Sequence, residues 1–126
     1  MKMSTNTILI ITVLALISLD IVTGLIKAFY NNCFNSAEMR QGLIRKFTTI
    51  ILVLMAFGLQ LVATYIPELP SELGYVFNGT CLYVIAMELA SNVENILAVN
   101  DELGSDKIRK FFGLIGETDG DQKKFN

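Results

Sequence analysis

Within the apolar stretch "ALISLDIVTGLIKAF" (residues 15 to 29), Asp20, Thr23, Gly24 and Lys27 fall on one face of a helix that turns roughly 100° per residue. A second such face carries Glu88, Ser91, Asn92 and Asn95, with Glu94 set to one side. Carboxylates, an ammonium group, an alcohol and amides in greasy surroundings suit ion pairing, proton sharing and hydrogen bonding between helices. They also suit the lining of a wet passage. They do not suit covalent catalysis. The chain has no histidine, no nucleophile–base pair and no phosphate-cradling glycine loop. Cys33 and Cys81 lack metal-ligand spacing and read as two plain thiols. No enzyme activity, metal or cofactor is therefore expected.

The elements that must position these residues follow from hydropathy. Of the 126 residues 52% are hydrophobic and only 17% charged, a balance foreign to small soluble domains. Phe47 to Ile66 has no charge, and Leu73 to Val99 holds only Glu88 and Glu94. Each apolar block is long enough to cross a hydrocarbon core about 30 Å thick, which takes roughly 20 helical residues. The expected fold is an all-α integral membrane protein with short loops. Residues 1–100 form a domain of three transmembrane helices, at about 8–30, 47–66 and 73–99. Residues 101–126 form a tail, in which Ser105 caps a short amphipathic helix carrying Ile108, Phe111, Phe112 and Ile115. The end of the tail is expected to be disordered. The first block resembles a secretory signal, but it is not followed by a small-x-small cleavage site and is expected to stay in the membrane.

The basic residues set an orientation. Lys27, Arg40, Arg45 and Lys46 flank the first loop, and Lys107, Arg109, Lys110, Lys123 and Lys124 lie in the tail, against Lys2 alone on the other side. Bases near spans stay in the cytoplasm, so the N-terminus is expected outside and the C-terminus inside. The second loop, with Pro67 and Pro70, is a tight outer turn. The first, "NNCFNSAEMRQG", is rich in turn formers, with Ser36 able to cap a short helix although Glu38 falls one place early for a capping box. The net charge of −2 and the lack of a basic–aromatic cluster argue against nucleic acid.

Helices one and three are then parallel, and Asp20 and Glu88 lie about level, as do Lys27 and Glu94 with Asn95. Lys27 is expected to pair with Glu94, within a protomer or between protomers, unless it snorkels to the headgroups. Asp20 and Glu88 are expected to share a proton or line a wet seam, or else to form a static interhelix contact. Gly24 and Gly58 read as close-packing positions, and Gln60 with Thr64 as a further polar contact between helices.

The run "LDIVTGLIKAFYNNCFNSAEMRQGLIRKF" resembles the signature of a bacteriophage holin family that includes the clostridial toxin-secretion holins. That signature has Asp-x-x-Thr-Gly followed by Lys-Ala, matched by Asp20, Thr23, Gly24, Lys27 and Ala28. It continues with residues spaced as Ser36, Arg40, Gly42 and Lys46 are, the group taken here with Arg45 as a cytoplasmic loop. "MELASNVENILAVN" is similar to the family's second block, with Glu88, Ser91, Glu94 and Asn95 in place. Where the family usually has a Ser-Ser pair, Ala37 holds the second place, and "VNDELGSD" replaces a glycine and proline. The resemblance implies a holin that gathers in the bacterial cytoplasmic membrane. There it homo-oligomerises into lesions in the lipid bilayer, releasing endolysin (or a toxin) without having to touch it, and the host lyses. The competing functions are a small ion channel or transporter accessory subunit, and a passive scaffold whose tail recruits a partner.

Overall fold

The computed structural model describes residues 3–100 and residue 102. Three long helices, α1 (Thr5–Tyr30), α2 (Ser36–Tyr65) and α3 (Gly74–Val99), are joined by short connections, the second including a single 3-10 turn at Ser71–Leu73. All three are long and apolar enough to cross a membrane. No strand occurs among the described residues. The expected tail helix lies outside them.

Local chemistry explains the helix ends. Ser4 caps α1, its side chain accepting from the Thr7 amide. At the other end the Cys33 amide donates to the Ala28 carbonyl and the Asn32 amide to the Phe29 carbonyl. That is the paired pattern of a Schellman stop, which needs a left-handed residue just past the helix. Asn32 takes it, at φ 50°, a conformation asparagine tolerates better than most residues. Edge-to-face packing of Phe29 on Phe34, with centroids 4.6 Å apart, closes the turn.

The start of α2 differs from the sequence expectation. The helix begins at Ser36 rather than near residue 47, because Asn35, not Ser36, is the cap: its side chain accepts from the Ala37 amide at 3.0 Å. With Asn35 as cap, Glu38 stands at the third helical position, where an acid favours the positive end of the helix dipole. Ser36, Arg40, Gly42, Arg45 and Lys46 are therefore on the first turns of α2 and not in a loop. The connection from α1 shrinks to residues 31–35. At the opposite end Pro67 and Pro70 bracket the turn, with Leu69 donating to Ile66 and Leu73 to Pro70.

Helix α3 packs against both others and so lies at the centre. Side-chain pairs give the register. Asn6 bonds Gln60 and Asp20 meets Lys46, so α1 and α2 run antiparallel in equal steps. Phe57 stacks edge-on to Phe77 and Lys46 meets Glu88, which sets α2 against α3 in the same way. Hence α1 and α3 are parallel, with Asp20 level with Glu88. The core consists of Val13, Ile17, Val53, Ala56, Phe77, Cys81 and Val84. Ile11, Leu14, Val22, Leu54, Met55 and Leu82 instead point outward. An outward apolar coat around a thin core is what a lipid solvent calls for, since acyl chains solvate leucine as well as protein does.

Candidate functional site

Three polar side chains are buried in the bundle: Asp20 (7% exposed), Glu88 (3%) and Asn92 (7%). Lys46 reaches them from α2. Its ammonium lies 2.5 Å from Asp20 Oδ2 and 2.6 Å from Glu88 Oε2, so a single cation ties all three helices together. This replaces the expected proton sharing between the two acids with a lysine bridge. The bridge is made by a residue that sequence reasoning placed in a loop.

The remaining polar groups fix the carboxylates in place. Asn95 Nδ2 donates to Asp20 Oδ1 at 3.2 Å and to the Thr23 hydroxyl at 3.0 Å. Asn92 Nδ2 donates to the Leu16 and Glu88 carbonyls, at 3.1 and 2.7 Å. The Thr23 hydroxyl lies within donating distance of Asn92 Oδ1 (3.3 Å) and the Asp20 carbonyl (3.2 Å). In low dielectric an unpaired polar group is costly, and this network leaves its members partnered. It still holds two carboxylates for one ammonium. A second, neutral clasp joins Asn6 and Gln60 near the other end, whereas Thr64 bonds the Gln60 carbonyl of its own helix.

Beside the triad a cavity of about 620 Å³ opens between α1 and α2 towards the 31–35 end. Asp20, Lys46, Ser91 and Asn95, none of them exposed, line it together with the exposed Lys27, Glu38 and Arg45. The arrangement is thus an ionic lock adjoining a space wide enough for water.

The eight residues singled out on α1 and α3 do not share one environment. Asp20, Thr23, Glu88 and Asn95 join the network, and Gly24 sits against Asn95, whose Nδ2 would lie 3.8 Å from an added Cβ. Ser91 lines the cavity. Lys27 and Glu94 are both exposed, and no ion pair joins them within the protomer among the described residues. The reason is rotation: Lys27 continues the stripe of Asp20 into the cleft, while Glu94 lies away from the packed face of α3. Gly58 has no neighbour within 4 Å of a Cβ, so it is not a close-packing position inside the protomer.

A family model described as the bacteriophage holin family matches residues 3–115, nearly the whole chain and all three helices. The chain belongs to the bacteriophage holin family. No curated protein and no solved structure matches it. Membership carries the general role of a phage holin, a membrane protein of host cell lysis. For this holin the lysine-bridged acids are the one place among the described residues where buried charge is concentrated.

Proposed function

We propose that this holin accumulates in the bacterial cytoplasmic membrane as a closed three-helix protomer and then self-associates into lesions that let endolysin, or an exported toxin, reach the cell wall. The observation that carries the reading is the Asp20–Lys46–Glu88 triad, which spans all three helices at the depth of the apolar spans. A bundle whose three helices share one ionic cluster is biased towards one state and loosened when the cluster is lost. Moving a unit charge through 100 mV is worth about 2.3 kcal/mol, so a fall in membrane potential can bias such a contact. The basic residues support an orientation with the N-terminus outside and both the 31–35 connection and the tail in the cytoplasm. On this reading the protein acts with its own copies and with lipid, and meets endolysin only functionally.

Induced expression in bacteria, with potassium leak and release of a cytoplasmic enzyme measured together, tests the proposal. Release of the folded enzyme at lysis is the expected result. Ion leak without enzyme release would instead indicate a small channel, and neither would indicate a scaffold.

A further inference from the structure

Lys27 and Glu94 pose a problem that one protomer does not solve. Each lies about two turns beyond the level of the triad, on parallel helices. Their depths therefore differ by only about one residue's rise, ~1.5 Å. Each is exposed, and neither is in an ion pair within the protomer among the described residues. Lys27 lines the cleft between α1 and α2, with Arg45 beside it. Glu94 ends an outward stripe of α3 made by Val76, Tyr83 and Met87, all exposed and all away from the packed face. A carboxylate at the edge of an apolar stripe is costly against lipid, most of all near a span's centre and less towards its end.

We propose that a second copy of this chain docks the inner end of that α3 stripe, Met87 to Glu94, into the α1–α2 cleft, so that its Glu94 pairs with Lys27. The inference rests on the self-association proposed above and names the surface it uses. Copies related by an axis normal to the membrane keep their depths, so only groups at the same level can pair across such a contact. Lys27 and Glu94 meet that condition. The cleft offers volume and two exposed cations, Lys27 and Arg45, against one exposed acid, Glu38, and the docked end of α3 supplies side chains and a negative charge. The two surfaces differ, which makes the contact heterologous and able to propagate from copy to copy, as a growing lesion needs.

Disulfide trapping in the intact membrane tests this. In a Cys33→Ser, Cys81→Ala background, Lys27→Cys and Glu94→Cys are introduced singly and together, and membranes are oxidised before and after lysis. The paired variant is expected to give a ladder of dimers, trimers and higher species, while each single variant stays monomeric. Dimers from either single variant would overturn the proposal, since they require a like-with-like contact. So would an internal disulfide without a ladder. Charge reversal gives an independent arm, read by a lysine- and cysteine-independent photocrosslinker that reports total assembly. Lys27→Glu and Glu94→Lys should each reduce assembly about tenfold or more, and their combination should restore it. Full assembly in both single reversals overturns the contact while leaving self-association intact. Absence of any assembly in the unaltered protein overturns both.

Discussion

At the scale of single residues the molecule turns on Lys46. Removing one partner of a buried, hydrogen-bonded ion cluster leaves uncompensated charge, a loss of about 3–5 kcal/mol. Lys46→Met leaves Asp20 and Glu88 facing each other without their cation. It is expected to lower resistance to denaturant in detergent by that order and to bring lysis forward. Asp20→Asn and Glu88→Gln are milder, because each leaves Lys46 with one carboxylate. Each should shift the time of lysis measured from induction while membrane accumulation, read by immunoblot, stays unchanged. Unaltered timing in both would remove the triad from the trigger. Gly24→Ala should be tolerated, as the new Cβ meets Asn95 Nδ2 at an ordinary 3.8 Å.

At the scale of elements, the turn at residues 31–35 decides where α2 begins and hence which of its residues enter the bundle. Its Schellman stop depends on Asn32 at φ 50°. Asn32→Gly should be neutral, whereas Asn32→Val should cost about 1–3 kcal/mol, because a β-branched residue is strained there. Thermal melting in micelles distinguishes the two. A weakened turn allows α2 to slip relative to α1, so Asn32→Val should also loosen the Lys46 bridge. The amphipathic pattern of α2 could not reveal this boundary. Charge stops at Lys46, but helical hydrogen bonding starts at Asn35, and the two boundaries obey different physics: lipid solvation for one, capping for the other.

For the whole molecule, the proposed orientation rests on the distribution of bases and not on packing. If it holds, adding positive charge to the turn between α2 and α3 with Glu68→Lys and Glu72→Lys should send part of the population into the membrane inverted. Protease accessibility of the tail in intact cells measures that fraction, and an unchanged pattern would mean that packing, not loop charge, sets the topology. The thin core has a matching consequence. Phe77 is fully buried against Phe57, the central helix of the bundle meeting α2. Its loss should separate α2 from α3 and deprive the triad of its alignment.

Read without coordinates, the chain already specified three spans, because the length and apolarity of each block are local properties that lipid demands whatever the neighbours. The same reading identified Asp20 and Glu88 as level and facing protein, since helical periodicity and connectivity fix both. Which cation meets them was not a local matter. The sequence alone suggested a shared proton or a wet seam for the two acids and paired Lys27 with Glu94, yet the antiparallel course of α2 brings Lys46 to the depth of Asp20 and Glu88 on the facing side. Only the packed bundle, with α3 central and α2 entering from Asn35, decides that choice. An ion pair depends on the rotation and register of separate helices, quantities that no single stretch of sequence contains.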